Sequence, residues 1–395
     1  MGCGSGVKQS RVAEPIMEIP TGSKSDGVSG ELMQLLRREW LRGNLVTGNA
    51  HLLELMRQEF SHDCPCEPCM QEVLPEEVEA LLGTIHDWDF NIWDFKDHTK
   101  YPIFHIGRTI FTKYHPSVVA QAGLDLDALL CFFSLLDDLY QADVVYHNAY
   151  HGADVTQSFF AILTQTGVLE KLQPLDLVAA LVAAAAHDLG HPGVNNEFLQ
   201  KTRDPLALEF NDRNVLENFH CRSAFFLMES HPSAAFLQSL DTAEYRRFRR
   251  ILTDVILGTD MAMHQSIISS FDTEKEYDVT SCLEDAVAVL RLLLKAGDLG
   301  HTFKKFEIHE RWSFLIQEEF QRQGDKERES GGTVAPLFDR SLPDSGPASN
   351  VGFFQFVVFP FTSVLAKFSP TLELQKGLAE QNLQRWRLLI SEEST

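Results

Sequence analysis

The sequence predicts an all-α chain, a compact multi-helix domain preceded by a mobile N-terminal arm. Between about residues 75 and 390, apolar residues recur at helical spacing in segments split by short Gly/Pro/Asn/Asp turns. No segment alternates apolar and polar residues as a half-buried strand would, and no glycine-rich phosphate loop opens a helix. The 395 residues are 44% apolar, with 28 Phe against 7 Tyr, enough for a sizeable, dry, aromatic core.

Residues 1–30 are rich in Gly and Ser and read as a mobile arm. The arm begins Met-Gly-Cys-Gly-Ser-Gly. Removal of Met1 would expose Gly2 for myristoylation, and Cys3 could take a palmitoyl chain. One acyl chain holds a membrane marginally and two hold it stably, so Cys3 matters as much as Gly2. Gly6 stands where the acylation pattern wants Ser or Thr. Residues 31–60 read as one or two amphipathic helices, with Leu32, Leu35, Leu36, Trp40 and Leu41 on the side that packs on the main domain. His62, Cys64, Cys66 and Cys69 follow. A Pro-rich surface linker is the default for so compact a cluster, and a tetrahedral zinc site is its alternative. The boundary between this extension (1–74) and the main domain (75–390) falls here.

Helical periodicity is clearest at residues 126–140, 214–230, 245–256, 283–295 and 311–323. Residues 324–350 are polar and rich in Gly, Pro and Ser, which predicts a long loop acting as a lid or binding loop. Residues 351–366 come closest to a membrane span, but Gln355 and Pro360 interrupt them, so no transmembrane helix is expected. The N-terminus lacks the apolar stretch of a secretory signal. Seven scattered or tightly clustered cysteines make no disulfide framework, which points to a reducing, cytoplasmic setting, with membrane association through the N-terminus. The formal charge of −22 argues against a nucleic-acid polymer as partner. It would repel an anionic substrate mildly, and a bound metal would reverse the sign locally.

Four clusters carry candidate chemistry. The central one is Ala183–Asn196, AAAAHDLGHPGVNN, where an apolar run ends in His187-Asp188. His191 follows four residues after His187, so both imidazoles can share a helix face. Pro192 disfavours helical geometry at His191, and Gly193 permits a sharp exit. The others are Tyr146–Val155, with His147 and His151 again four apart, Asn211–His220, with Glu217, and Ala296–His301, with Asp298. Imidazole and carboxylate ligands without thiolate suit zinc, iron or manganese in an open site. A carboxylate can also bridge to a second, harder cation. Two such metals, typically about 3.5–4 Å apart, activate water and clamp a phosphoryl group. A phosphodiester also needs an acid at its leaving oxygen, and histidine suits that task near neutral pH.

The stretches YHNAYHGADVTQ, HDLGHPGVNN, NDRNVLENFH, LGTDM, AGDLGH, EEFQRQGDKERE and VGFF resemble the catalytic domain of class I 3′,5′-cyclic nucleotide phosphodiesterases, within the HD-domain metal phosphohydrolases. The resemblance covers about residues 75–390 with its motifs in order. It implies an all-helical catalytic domain that hydrolyses cAMP, cGMP or both to 5′-monophosphates. It implies a tight zinc on His151, His187, Asp188 and Asp298, with Asp188 bridging to Mg²⁺ or Mn²⁺. His191, Glu217 and Thr259 would hold waters on the second metal. His147 would be the general acid for the 3′ oxygen. The base would sit between Phe353 and Ile316, near Phe320, with Tyr146 and Asn196 lining the site.

Two departures bear on the substrate. Asn350 stands where the family usually has Gln, an amide one methylene longer that meets the purine edge. His301 stands where some cAMP-selective members have Asn. Gly190 also replaces a residue that is often acidic. Weak discrimination between cAMP and cGMP, or a raised KM for both, is the expectation. The rival readings are a catalytically inactive cyclic-nucleotide sensor and an HD-type hydrolase of another phosphoester. The intact ligand set speaks against the first, and the pocket aromatics speak against the second.

Overall fold

A computed structural model describes residues 71–342 and 346–393, Asp97 apart. The acylation site at Gly2 and Cys3, the 31–60 helices and the Cys64-Cys66-Cys69 cluster lie outside the described residues. Among those residues there is no strand. The helices are α1 (Glu76–Leu82), α2 (Pro102–Thr109), α3 (Val118–Gln121), α4 (Leu126–Leu139), α5 (Ala149–Gln165) and α6 (Pro174–Ala186). Then come α7 (Asn196–Thr202), α8 (Pro205–Glu209), α9 (Val215–Ser230), α10 (Thr242–Leu257) and α11 (His264–Ser270). Last are α12 (Leu283–Asp298), α13 (Phe306–Glu329), α14 (Gly346–Phe353), α15 (Phe359–Phe368) and α16 (Glu373–Glu393).

The core is built around α6, PLDLVAALVAAAA. Pro174 starts it, where a missing N–H costs nothing. Every residue from Leu175 to Ala186 is buried. Small alanines on most sides let α5 and α10 pack closely against it. The start of α10 is fixed by a capping box between Asp241 and Glu244. From its first turns Arg247 reaches the buried Asp176 of α6 through two bonds of 2.6 Å. That paired geometry suits a guanidinium and a carboxylate.

The N-terminal helices belong to the same core. Asp137 of α4 accepts the Ile103 and Phe104 N–H groups at 2.9 Å each, capping the first turn of α2. Trp88 donates to the Phe303 carbonyl at 2.9 Å, across 215 residues of sequence. The buried Lys304 ammonium joins Asp154 at 2.6 Å and Gln157 at 3.1 Å.

Three expectations need correction. The segment 324–350 is not one loop. The helix α13 continues to Glu329, and the irregular part begins only beyond it. Arg328 pairs with Asp339 at 2.5 Å, and Arg340 with Asp325 at 2.7 Å, holding that irregular part down on α13. Second, four-residue spacing does not place either histidine pair on a helix. His187 is the C-cap of α6, and His191 lies past a turn. His147 precedes Asn148, the N-cap of α5, whose side chain accepts the Tyr150 N–H at 3.0 Å. Third, Gln355 and Pro360 do not interrupt the helix. A π-helical turn at Phe354–Val358 joins α14 to α15, making a 23-residue stretch, Gly346–Phe368. It is long and apolar enough to cross a membrane by length and composition, and here it packs against α16.

Gly297, next to Asp298, lets α12 cross close to α5. A Cβ there would lie 3.2 Å from the Phe159 backbone nitrogen and 3.3 Å from its Cα. Gly297→Leu is therefore expected to destabilise the fold by about 1–3 kcal/mol through overpacking. Urea unfolding should show a lower midpoint at unchanged slope, and an unchanged midpoint would count against this crossing.

Candidate metal centre and active site

Three helix termini deliver four ligand atoms to one point. His151 stands in the first turn of α5, His187 and Asp188 at the exit of α6, and Asp298 at the last position of α12. His187 Nε2 lies 3.0 Å from Asp188 Oδ2 and 3.5 Å from Asp298 Oδ1. His151 Nε2 lies 3.3 and 3.4 Å from the same two oxygens. Metal bonds of about 2.0–2.1 Å in a tetrahedron require edges of about 3.3–3.4 Å between ligand atoms. The four measured edges fall around that value.

The two Nε2 atoms are buried without a hydrogen-bond partner, which a polar atom tolerates poorly unless something else is bound there. His187 Nδ1–H donates to the Ala184 carbonyl at 2.9 Å, which leaves Nε2 as the nitrogen turned to the cluster. Burial would raise the Asp188 carboxyl, but the His187 and His147 imidazoles hold it well below the usual carboxylate range. Asp298 is likewise held low, by His151 and His187. Two carboxylates held in the ionised form and two imidazole nitrogens without a hydrogen-bond partner form a donor set that fits a divalent metal.

The carboxylate of Asp188 faces two ways. Oδ2 belongs to the cluster above, while Oδ1 points toward His220 Nε2 at 3.7 Å. His191, Glu217 and Thr259 line the same cleft as Asp188 and His220. His191 Nδ1 accepts the Gly193 N–H at 3.1 Å. Asn196 donates to the Glu217 carboxylate at 3.0 and 3.3 Å and accepts the Leu216 N–H at 2.8 Å. Burial, then the neighbouring Asp260, push the Glu217 carboxyl up to about 7.

Sequence reasoning missed two residues here. Lys295, one turn before Asp298, reaches the carbonyls of Gly258, Thr259 and Asp260 at 3.0–3.3 Å and shapes the turn carrying Thr259. Glu319 of α13 is the larger omission. Its Oε1 accepts from His147 Nδ1 at 2.5 Å, and its Oε2 from the Tyr146 and His147 backbone N–H groups at 2.9 and 3.2 Å. Burial pulls the His147 imidazole down, but Glu319 and Asp188 outweigh it and hold it at about 9. Burial raises Glu319, and His147 brings it down to about 2. The pair is therefore ionic at neutral pH. His147 Nε2 then faces the metal cluster, 4.0 Å from Asp188 Oδ2. The available signal for Glu319 was its place on one helix between Ile316 and Phe320.

Above this floor opens a cleft of about 540 Å³. Tyr146, His147, Asn196, Ile316, Phe320, Asn350 and Phe353 all line it. His151 and His187 lie beneath it. Leu337, Phe338 and Leu342, from the segment latched on α13, complete the wall, with Phe338 against Phe320 at 5.1 Å between ring centroids. The Asn350 amide is partly engaged. Its Nδ2 donates to the Gly346 carbonyl at 2.9 Å, and its Oδ1 accepts from Ser313 at 3.4 Å.

The 3′,5′-cyclic nucleotide phosphodiesterase family model matches residues 146–376. The chain is 33% identical over 293 residues, 72% of its length, to the 3′,5′-cyclic-AMP phosphodiesterase isoform F of Drosophila melanogaster, covering 44% of that protein. It matches isoforms N/G at the same identity and covers 29% of them. The chain thus spans less than half the length of these curated relatives. Its fold superposes on the phosphodiesterase domain of the RhoPDE fusion protein from the choanoflagellate Salpingoeca rosetta. The TM-score is 0.72 at 27% identity, covering 79% of this chain and 97% of that one. A second structure of that organism's rhodopsin phosphodiesterase domain agrees, with TM-score 0.72 at 28% identity, over 79% and 93% of the two chains. The matched segment holds every ligand of the histidine–aspartate cluster, the His147–Glu319 pair and the walls of the cleft, and the chain belongs to the 3′,5′-cyclic nucleotide phosphodiesterase family.

Proposed function

We propose that residues 75–390 form a catalytic domain that hydrolyses 3′,5′-cyclic nucleotides, cAMP, cGMP or both, to 5′-monophosphates. The observation that carries this is the two-faced Asp188 carboxylate at the floor of an aromatic cleft, one oxygen in the tetrahedral cluster and the other turned to a second polar group. The Drosophila relatives, named as cyclic-AMP phosphodiesterases, support the substrate class.

In this reading His151, His187, Asp188 and Asp298 would hold zinc, and Asp188 with His191, Glu217 and Thr259 nearby would serve a second ion, magnesium or manganese. Such a pair supplies Lewis-acid neutralisation of phosphoryl charge and activation of water. The protein's own groups do the rest. His147, protonated at Nε2 and anchored at Nδ1 by Glu319, delivers a proton to the departing 3′ oxygen. Glu319 keeps the imidazole charged and aimed, as a carboxylate does for a catalytic histidine elsewhere. Phe353 and Ile316 sandwich the base, and the latched wall excludes water from one side of the sugar.

His147→Asn is expected to lower kcat by about 10²–10⁴ with bound metal unchanged. Glu319→Gln should lower it less and move the basic limb of the kcat–pH profile to lower pH, because the charge that raises the imidazole is gone. Both deficits should shrink for a p-nitrophenyl phosphodiester, whose leaving group needs no proton. Equal deficits on both substrates would make His147 a structural residue.

Asn350→Gln should lower KM for both nucleotides with little change in kcat, since the longer amide adds binding common to ground and transition states. Steady-state kinetics with cAMP and cGMP check this. An unchanged KM in both cases would mean that the Asn350 amide makes no contact with the base.

A further inference from the structure

The apolar helix α6 stops at Ala186, immediately before His187 and Asp188, and its last carbonyls must find partners outside a further turn of helix. The Ala184 carbonyl takes the His187 Nδ1–H at 2.9 Å, and the Ala186 carbonyl takes the Leu189 N–H at 3.1 Å. Between them, the Ala185 carbonyl takes the hydroxyl proton of Tyr140 at 3.0 Å. The same hydroxyl oxygen accepts the Asp188 N–H at 3.3 Å. Tyr140 is the C-cap of α4 and lies 45 residues from Ala185 in sequence. It bridges the point at which His187 and Asp188 leave the helix.

A phenol suits this place because one oxygen can both donate and accept. It gives its proton to a carbonyl and takes one from an amide, so a single atom satisfies two backbone groups. Water is no substitute here, since Ala185 and Tyr140 are 0% and 3% exposed. A buried backbone group left unpaired costs about as much as a lost hydrogen bond. The ring reaches this point only because Gly152 of α5 has no side chain. A Cβ there would lie 2.9 Å from both Tyr140 Cζ and its hydroxyl oxygen. Gly152 follows His151, so the clearance for Tyr140 is cut into α5 beside a member of the cluster. With its N–H held, the Asp188 peptide is kept from turning, and Oδ2 stays 3.0 Å from His187 Nε2 and 3.3 Å from His151 Nε2.

We propose that Tyr140 is a positioning residue for the metal cluster: its hydroxyl, bridging the Ala185 carbonyl and the Asp188 N–H, sets the backbone from which His187 and Asp188 present their ligand atoms. This rests on the reading of His151, His187, Asp188 and Asp298 as a divalent-metal site. Tyr140 bonds to the main chain and acts through it, whereas Ala184 fixes the His187 ring directly. The two devices are complementary. One orients an imidazole, and the other orients the peptide that joins that imidazole to the shared carboxylate. Groups that orient metal ligands from behind typically contribute about ten- to hundredfold in affinity. A hydroxyl that works through the backbone belongs at the lower end of that range.

The test uses the full chain and Tyr140→Phe, which keeps the ring and removes the hydroxyl. Zinc affinity is measured by competition with a chromogenic chelator. Visible spectra of the Co²⁺-loaded protein report the ligand geometry, and neither measurement needs turnover. In Tyr140→Phe the zinc dissociation constant should rise about tenfold, and the cobalt bands should shift or weaken. Tyr114→Phe is the matched control, because it takes a tyrosine hydroxyl from the Gly83 carbonyl, away from the cluster. It should lower the unfolding midpoint and leave zinc affinity unchanged. If Tyr140→Phe does not fold, Gly152→Ala displaces the hydroxyl without removing it and should weaken zinc in the same direction. An unchanged zinc affinity and cobalt spectrum in a folded variant would overturn the proposal, as would an equal loss of zinc affinity in Tyr114→Phe. A folded wild type that binds neither ion would instead overturn the reading of the cluster, and the proposal with it.

Discussion

A carboxylate buried at the end of an apolar helix is the constraint around which this domain is arranged. Asp188 comes after twelve consecutive buried residues of α6 and sits where an unpaired charge would be costly. Four imidazoles answer it, from His147, His151, His187 and His220, at 3.0–4.0 Å. His147, His151 and His187 come from chain segments that end or begin near this point, and His220 from the second turn of α9. The charge on Asp188 therefore explains why helix termini converge here, and why the floor of the cleft is polar inside an otherwise aromatic core.

Convergence of termini also separates two jobs that one helix face could not perform. His151 lies within α5 and turns into the cluster, while His147 lies before the N-cap and is free to face the cleft. Had both histidines been on one regular helix, they would have pointed the same way. The extended backbone at Asn148 divides the two imidazoles, and Glu319 then fixes His147 from the opposite wall. The approach of α12 to α5 at Gly297 completes the cluster by bringing in Asp298.

Much of this was legible in the sequence because it is local. Helical periodicity marked the long helices, with ends extended by a few residues where caps rather than apolar spacing set the boundary, as at Asp241 before α10. The four residues that gather in the cluster were legible because they stand in short runs of unlike donors. What escaped depends on contacts between distant segments. Glu319 meets His147 across 172 residues, and Lys295 meets the Thr259 carbonyl across 36. A glutamate and a lysine on amphipathic helices carry no local mark of such roles. The segment after residue 324 misled for another reason. Its polar composition reads as loop, yet its charges extend α13 and then pair with Asp339 and Arg340 to hold the next stretch of chain against it.

The central claim is that Asp188 serves two metal positions at once and that hydrolysis depends on both. Metal content and cyclic-nucleotide turnover measured on the same preparation of Asp188→Ala test it most directly. The account predicts loss of metal from both positions, and turnover reduced to the limit of detection, in a protein that still unfolds cooperatively. A folded Asp188→Ala protein with full metal content and near-normal turnover would contradict it.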